Sequence, residues 1–211
     1  MKTLALVTSK GGSGKSSIAA SLAVAAADDG LAVVTIDTDI QGTLAAWGGR
    51  RKTENIVHRA AEPEALGDLL HRLRAHGGTG LAIVDTAGIA GTGAIIAARA
   101  ADLVLVPVRP TLLDLDAAKM TADRLKAAPA RFAFVFSQVP TSAPERAREA
   151  ARAVMRLGTT TAPSYTSSRV AYHDAMSDGL GVTEYDPKGK AAEEIRALWE
   201  WVKEQIADAK T

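Results

Sequence analysis

Short apolar runs alternate with longer segments of helical periodicity along the chain, and this alternation restricts the fold more than any other feature of the sequence. Each run is too short for a helix and is rich in β-branched or aromatic residues, and most of the runs end at a polar or glycine-containing turn. The five runs that we predict to be strands span residues 3–9, 32–37, 81–86, 103–108 and 131–137.

Segments of helical periodicity separate these runs and follow the last of them. In one segment Leu115, Ala118, Ala122 and Leu125 recur at the spacing of a single buried helix face. Strand–helix alternation of this kind predicts right-handed crossovers and a mostly parallel, twisted β-sheet with helices on both faces. No linker, repeat or low-complexity tract interrupts the pattern, so we expect one α/β domain over residues 1–211. The predicted helices span residues 14–29, 62–76, 92–101, 112–127, 143–157, 169–178 and 191–208.

The composition agrees with this fold class and excludes several kinds of site. Hydrophobic residues make up 47% of the chain and aromatic residues 4%, an aliphatic balance typical of a parallel sheet buried under helices. The chain has no cysteine, which excludes disulfides, thiolate zinc sites and iron–sulfur clusters. The net charge is +1, so any affinity for nucleic acid must come from a local patch. Since no signal peptide and no run of about 18 apolar residues occurs, we expect a cytoplasmic protein that does not span a membrane.

A glycine-rich stretch, SKGGSGKSS, follows the first predicted strand and leads directly into the first predicted helix. It nearly matches the phosphate-binding pattern G-x-x-x-x-G-K-[ST], except that Ser9 stands where the first glycine belongs and a second lysine, Lys10, precedes the glycine pair. Glycines leave backbone N–H groups free to surround phosphate oxygens, and the helix N-terminus adds partial positive charge. Lys15 would contact the β- and γ-phosphates, and the Ser16 hydroxyl would coordinate Mg²⁺. The alternative is a glycine-rich turn with an incidental lysine.

The same stretch resembles the deviant Walker A loop, K-G-G-x-G-K-[ST], of the ParA/MinD-type ATPases. That resemblance implies a P-loop NTPase fold, with ATP and Mg²⁺ as cofactors. In that family the early lysine, matched here by Lys10, reaches the partner's phosphates across a nucleotide-sandwich homodimer, and so it acts as a catalytic residue together with Lys15. The alternative is that Lys10 is a solvated surface lysine. The nucleotide-binding residues that the resemblance implies in this loop are Gly11, Gly12, Ser13, Gly14, Lys15, Ser16 and Ser17.

Two further stretches carry the resemblance, and each closes a predicted strand. The stretch DTDIQGT is similar to the family's D-x-D-P-Q-G segment, which implies that Asp39 activates the attacking water and that Asp37 lies near Mg²⁺. Asp39 has an alternative role as a helix cap ahead of TLAAW. The stretch LAIVDTAG has the form of a Walker B strand, in which Asp85 holds a Mg²⁺-bound water and Gly88 offers an N–H to the γ-phosphate.

The loop after the fourth predicted strand contains two prolines. By the same resemblance it borders the adenine, with Pro107, Arg109 and Pro110 as the contacts. The alternative is an ordinary strand-to-helix turn with Pro110 near the helix start. The stretch FSQV after the fifth strand lacks the asparagine that some relatives place against the base.

The choice among members of the family depends on what the chain lacks and on its last helix. The absence of cysteine excludes the iron–sulfur members, and no tyrosine-rich tail of the tyrosine kinases is present. The last helix has one apolar stripe and more acidic than basic residues, which is typical of a helix packed on its own core and not of a membrane anchor. The chain therefore resembles the small ParF-like plasmid partition ATPases, which implies slow ATP hydrolysis, non-specific DNA binding by the ATP dimer, association with the nucleoid, and stimulation by a centromere-binding partner protein.

DNA contacts are expected from arginines near the end of the chain. Three of them follow one stripe of the 143–157 helix. The alternative is an ordinary solvated helix with ion pairs from Glu145 to Arg148 and from Glu149 to Arg152. The predicted DNA-binding residues are Arg148, Arg152, Arg156 and Arg169.

Two other functions remain open at this level. The same ATPase cycle could position another cargo, such as a protein organelle or a chemosensory cluster. A ligase of the dethiobiotin or cobyrinate amidation type shares the fold and a similar loop, but it would give Lys10 no role, and the chain has no separate glutaminase-like region.

Overall fold

The computed structural model describes residues 1–8, 10–88, 91–128 and 130–208, which form one seven-stranded sheet with helices packed against it. The sheet order is β3-β2-β4-β1-β5-β6-β7, and every neighbouring pair is parallel. The predicted parallel α/β fold is therefore confirmed. The strands are β1 (Lys2–Leu6), β2 (Val33–Asp37), β3 (Ile56–Ala60), β4 (Leu81–Asp85), β5 (Leu103–Val108), β6 (Phe132–Val139) and β7 (Thr160–Ser167).

The seven predicted helices are present, with ends shifted by a few residues. The segment predicted as one helix over 62–76 begins as a 3₁₀ turn, Pro63–Ala65, before the α-helix starts. Two short helices, α2 and α8, were not predicted. The helices are α1 (Lys15–Asp28), α2 (Thr43–Arg50), α3 (Leu66–His76), α4 (Thr92–Ala100), α5 (Leu112–Ala127), α6 (Glu145–Met155), α7 (Val170–Ser177), α8 (Val182–Tyr185) and α9 (Lys190–Ala207).

The two faces of the sheet bury two separate apolar clusters. Side chains of α1, α2, α7, α8 and α9 pack on one face, and those of α3, α4, α5 and α6 pack on the other. The predicted stripe of α5 faces the second cluster, with Ala118, Ala122 and Leu125 buried. The apolar stripe of α9 packs into the first cluster, so this helix is docked on its own core. No helix formed by the described residues combines the length and the apolarity needed to cross a membrane.

The two edge strands, β3 and β7, are absent from the prediction. β3 alternates buried and exposed positions only weakly, and β7 is mostly polar and contains Pro163. Edge strands pair on one side only and pack less fully, so their sequences carry a weaker apolar signal than the buried central strands.

The parallel sheet brings the ends of its central strands together at one edge. Asp37 at the end of β2 lies opposite Asp85 at the end of β4, and Leu6 of β1 lies opposite the same Asp85. The glycine-rich stretch follows β1, between the ends of β4 and β5 in the sheet. Ligands of open α/β sheets bind at this edge.

Candidate nucleotide-binding site

The glycine-rich loop joins β1 to α1 in a conformation that depends on glycine. Gly14 immediately precedes α1 with φ of 78°, and its carbonyl accepts the first turn's hydrogen bond from the Ile18 N–H at 2.9 Å. A side chain at this left-handed position would be strained, whereas glycine adopts it freely. The chain therefore turns from strand to helix at the point where a phosphate group would meet the helix N-terminus.

The loop encloses a cavity of about 400 Å³ that collects most of the predicted site residues. Asp39, Gly88 and Lys10 line it together with the loop. Sequence reasoning assigned no role to four of its residues, Thr8, Gln41, Thr43 and Gln138, which lie within or next to stretches that it quoted. The full lining is Thr8, Lys10, Gly11, Gly12, Ser13, Gly14, Lys15, Ser16, Ser17, Asp39, Gln41, Thr43, Gly88 and Gln138. Ser9 lies outside the described residues.

Asp85 is fully buried and contacts two of the loop residues that line this cavity. Lys15 Nζ lies 2.6 Å from one carboxylate oxygen, and the Ser16 hydroxyl donates to the other at 2.5 Å. Burial raises the pKa of Asp85 above its ordinary value, although Lys15 and Ser16 favour the charged form. An ammonium group and a hydroxyl thus both contact one carboxylate. These are the kinds of group that bind phosphate and Mg²⁺ in nucleotide sites.

Asp37 is buried beside Asp85 and organises the segment that follows β2. Its two carboxylate oxygens accept the backbone N–H groups of Asp39 at 2.9 Å and Ala45 at 2.8 Å. A role for Asp37 in the Mg²⁺ shell stays a prediction, because both oxygens already bind backbone.

Asp39 projects from that segment into the cavity. One of its oxygens lies 3.9 Å from Lys15 Nζ, and the other accepts the Gln41 N–H at 3.0 Å. The residue before α2 is Gly42, and no side chain caps this helix. The helix-cap alternative for Asp39 is therefore wrong, and its carboxylate is available at the cavity wall.

Lys10 stands at the mouth of the cavity and contacts the first turn of α5. Its Nζ donates to the Leu113 carbonyl at 2.9 Å and lies 3.9 Å from an Asp114 oxygen. Burial by itself raises the pKa of Asp114, but hydrogen bonds from Thr111 and Arg109 and the nearby Lys10 charge outweigh it and lower the pKa. Lys10 is thus partly exposed and contacts a carbonyl and a carboxylate of its own subunit, and both its role in trans and the alternative of a surface lysine stay predictions.

The residues predicted to contact adenine do not line the phosphate cavity in the described part of the chain. Pro107 is buried in β5, paired with Val135 of β6, and the cleft beside it measures only about 10 Å³. Arg109 instead lies 3.2 Å from Asp114. Pro110 lines neither the phosphate cavity nor the cleft beside Pro107, so a base at this loop stays a prediction.

A second cavity, of about 370 Å³, adjoins the phosphate cavity on the side of α7. The two cavities share Gly14, Ser17, Thr43 and Gln138, so a ligand could occupy both at once. Its remaining walls are mainly apolar surface, as a flat base requires. They are formed by Ile18, Thr166, Ser167, Ser168, Arg169, Tyr172, His173 and Met176.

Glu194 of α9 holds the outer wall of this second cavity in place. Its carboxylate accepts the backbone N–H of Ser167 at 2.9 Å and the Ser167 hydroxyl at 2.7 Å. It also pairs with Arg169 Nε at 2.9 Å and accepts the Tyr172 hydroxyl at 3.1 Å. Burial, reinforced by the Glu194 charge, raises the pKa of Tyr172, which therefore remains a neutral donor.

The comparison with known protein families agrees with this site. The model described as the CobQ/CobB/MinD/ParA nucleotide binding domain matches residues 4–199. The chain belongs to this family. The resemblance to ParA/MinD ATPases is thereby confirmed.

This ParA/MinD-family chain is similar to two curated proteins and to a solved structure. The maintenance of carboxysome distribution protein A of Gloeobacter kilaueensis is 31% identical over 208 residues, which cover 97% of this chain and 94% of that protein. Protein ParA of Rhizobium radiobacter is 34% identical over 116 residues, or 54% of this chain and 51% of that protein. The fold is similar to that of the septum site-determining protein MinD complexed with Mg-ADP from Pyrococcus horikoshii, with a TM-score of 0.81 at 18% identity over 100% of this chain and 98% of that chain.

The predicted DNA-binding arginines of this ParA/MinD-family chain fall into two groups. Arg148 and Arg152 are exposed on α6, and Arg156 is exposed just past its end. Within the described ranges none of the three forms an ion pair, so the expected pairs with Glu145 and Glu149 do not form. Arg169 is separate from them, because it contacts Glu194 at the second cavity.

Proposed function

We propose that this chain is a ParA-type ATPase that binds Mg-ATP, forms a sandwich homodimer, binds DNA without sequence preference and hydrolyses ATP slowly to segregate plasmid or chromosomal DNA. One observation carries the proposal: Lys10 lies at the open mouth of the phosphate cavity, between exposed apolar side chains on both sides. Ile40 is 96% exposed on one side, and Leu112 and Leu113 are 76% and 71% exposed on the other. A second copy facing this mouth would cover apolar surface that the monomer leaves in water.

The phosphate end of ATP fits the first cavity. Its glycine loop and helix N-terminus suit anionic oxygens, and the Ser13 hydroxyl is buried without a partner among the described residues. Lys15 would bind the β- and γ-phosphates, with Ser16 and Asp85 holding Mg²⁺, which neutralises phosphate charge when bound. Asp39 would orient the attacking water by accepting its proton. Gly88 would offer its N–H to the γ-phosphate.

The base of ATP fits the second cavity better than it fits the loop of Pro107, Arg109 and Pro110. The second cavity shares a wall with the phosphate site and presents mainly apolar surface. Arg169 would then belong to the nucleotide site, where it contacts Glu194, and not to the DNA-binding surface.

The homodimer would use Lys10 in trans. A cation brought to the transferring phosphoryl group by the partner stabilises the charge that develops there, as an arginine finger does. Lys10 must first leave the Leu113 carbonyl and Asp114, so dimer formation would exchange a contact within the subunit for one with the partner's nucleotide.

DNA binding would fall to α6, because the side chains of Arg148, Arg152 and Arg156 are exposed and unpaired within the described structure. A dimer presents this weak basic patch twice, which makes binding depend on ATP without a high net charge. The ATP-bound protein would associate with the nucleoid, and a centromere-binding partner protein would stimulate hydrolysis.

A second candidate has a specific observation in its favour. The relative with nearly complete coverage at 31% identity is named for carboxysome distribution. The same ATP and DNA cycle would then position a protein organelle instead of a DNA molecule. The partner protein that stimulates the ATPase distinguishes the two, because it is either a centromere-binding protein or a protein of the organelle.

The experiment that tests the proposal measures molecular mass by sedimentation with Mg-ATP, with Mg-ADP and without nucleotide, and DNA retention under the same conditions. We expect dimers and DNA retention with Mg-ATP only, and retention that falls steeply as salt rises. Equal DNA affinity with and without ATP would contradict the proposed function.

Two substitutions separate the roles within the dimer. Asp39→Ala should slow hydrolysis and accumulate Mg-ATP dimers, because the water loses its proton acceptor while the phosphate contacts remain. Lys10→Ala should leave nucleotide binding by the monomer largely intact and weaken both dimer formation and hydrolysis. Sedimentation with Mg-ATP checks both variants. An Asp39→Ala protein that remains monomeric would mean that Asp39 does not have this role.

The α6 patch is tested by replacing Arg148, Arg152 and Arg156 with alanine. Each lost phosphate contact should reduce the slope of log affinity against log salt by about 0.9. Arg72→Ala on α3 is the matched control, because Arg72 is exposed on a helix that packs on the same sheet face. An unchanged salt slope in the triple variant, with dimerisation intact, would place the DNA contact elsewhere.

A further inference from the structure

Gln138 has an unusual backbone conformation at the edge of both cavities. It lies near the end of β6 with φ of 51°, and it is the only residue other than glycine with positive φ in the described ranges. The pairing of β6 with β7 is irregular between Phe136 and Val139, where Gln138 lies. A left-handed conformation costs free energy for a residue with a Cβ, and it persists only where surrounding structure enforces it.

The strained position aims the Gln138 side chain at the phosphate loop. Its Nε2 donates to the Gly12 carbonyl at 2.6 Å. Because a carbonyl can only accept, the amide nitrogen must face the loop. The same nitrogen lies 3.6 Å from the place that a Cβ on Gly14 would occupy. Gln138 is therefore packed against two of the three loop glycines.

The contact restrains a loop glycine that has no side chain of its own to restrain it. Gly12 has φ of 74° and open space around the position of a Cβ, so neither its own side chain nor its neighbours fix its conformation. In a planar trans peptide the carbonyl of Gly12 and the N–H of Ser13 point in opposite directions. A hydrogen bond that fixes the carbonyl therefore also fixes the direction of the Ser13 N–H.

We propose that Gln138 is a positioning residue for the phosphate loop, which it holds in its binding conformation before a nucleotide arrives. This inference rests on the proposed nucleotide binding, but it assigns the residue no contact with the base and no part in the chemistry. The side chain acts through Gly12, by removing conformations of the loop that the nucleotide would otherwise have to exclude. Pre-organisation of this kind raises affinity by reducing the entropy lost on binding.

The test uses Gln138→Met, which keeps the length and stem of the side chain and removes the donor. Hydrogen exchange at millisecond to second times should become faster in the segment 11–16 of the nucleotide-free variant. The Kd for Mg-ATP, measured by titration, should rise about three- to tenfold, as expected for the loss of one hydrogen bond. Gln205→Met is the matched control, because it removes a glutamine amide that accepts a hydrogen bond from Arg131 at 2.9 Å and lines neither cavity; neither loop exchange nor the Kd should change in it.

A second variant keeps the test decisive if Gln138→Met fails to fold. Gln138→Gly relieves the backbone strain and also removes the donor, so it should show the same faster exchange and weaker binding. Unchanged loop exchange in a folded variant, or an unchanged Kd, would overturn the inference. Wild-type protein that fails to bind Mg-ATP would instead contradict the proposed function, while loop exchange would still decide whether Gln138 holds the loop.

Discussion

At the scale of single residues, the most consequential group is the buried carboxylate of Asp85. Its neighbour Lys15 lies 2.6 Å away and compensates its charge in the absence of a ligand. Burial still raises the pKa of Asp85, so the charged form is maintained at some cost in stability. The lysine thus has two roles, since it stabilises the empty site and would bind the phosphates of a nucleotide.

Replacing Lys15 tests both roles together. Lys15→Met should abolish Mg-ATP binding and lower the free energy of unfolding by about 1–3 kcal/mol, because it leaves a buried acceptor without its donor. The loss should be larger at pH 8 than at pH 5, since a carboxyl group with a raised pKa regains stability as it takes up a proton at lower pH. Urea unfolding at the two pH values measures this.

The double variant Lys15→Met with Asp85→Asn is the control for the charge. It should recover most of the lost stability, because no uncompensated carboxylate remains, but it should not recover nucleotide binding. A double variant as unstable as Lys15→Met would show that the buried charge is not the cause.

At the scale of elements, the short helix α2 connects the phosphate site to the far end of the chain. Arg51, just past α2, forms two hydrogen bonds with Glu184 of α8 at 2.9 and 3.0 Å. Its guanidinium also lies 5.1 Å from the centre of the Trp47 ring. Asp37 accepts the Ala45 N–H near the start of α2. Helix α2 is therefore held near its start by Asp37 and just past its end by the contact of Arg51 with Glu184.

Glu184→Gln tests how much the α2–α8 contact stabilises the protein. Burial by itself raises the pKa of Glu184, but hydrogen bonds from Arg51 and the Gly181 N–H outweigh it and lower the pKa below 4.5. The ion pair therefore stabilises the fold above the ordinary pKa, and its contribution is lost as pH falls through the lowered value. We expect the variant to lose about 1–3 kcal/mol at pH 7.

The pH dependence separates this ion pair from simple packing. The difference in unfolding free energy between wild type and Glu184→Gln should shrink as pH falls below about 4.5, toward the lowered pKa. A difference that is constant from pH 7 to pH 3.5 would mean that packing, and not charge, is responsible.

At the scale of the whole molecule, Ile40, Leu112 and Leu113 at the cavity mouth are among the most exposed large apolar side chains of the described residues. The sheet order places the end of β2, with Ile40 beyond it, and the start of α5, with Leu112 and Leu113, on opposite sides of the phosphate loop. These three exposed apolar residues therefore flank the phosphate loop, as a face that closes on a second copy requires, while others such as Met120 and Met155 are exposed elsewhere on the surface.

Leu113→Glu tests this face. It should prevent the Mg-ATP dimer by placing a charge where apolar surface is to be covered, while nucleotide binding by the monomer persists. Met120→Glu is the matched control, because Met120 is 58% exposed two turns further along the same helix. Sedimentation with Mg-ATP compares the two. Equal dimerisation of both variants would contradict a dimer closed across the cavity mouth.

The sequence by itself determined the parallel fold, its central strands and the phosphate loop, because these depend on signals within a few neighbouring residues. An apolar run marks a buried strand, and glycines followed by Lys15 and Ser16 mark a loop that leads into a helix. The same signals placed Asp85 at the end of one strand and Asp39 just beyond the end of another, where the parallel sheet brings both close to Lys15.

Only the tertiary structure decided how segments distant in the chain complete the site. Gln138 meets Gly12 across 126 residues, and Lys10 meets Leu113 across 103. Glu194 pairs with Arg169 at the wall of the second cavity, which we propose holds the base. Such contacts depend on strand order and helix packing, and no local pattern encodes them, because the residues become neighbours only when the sheet has formed.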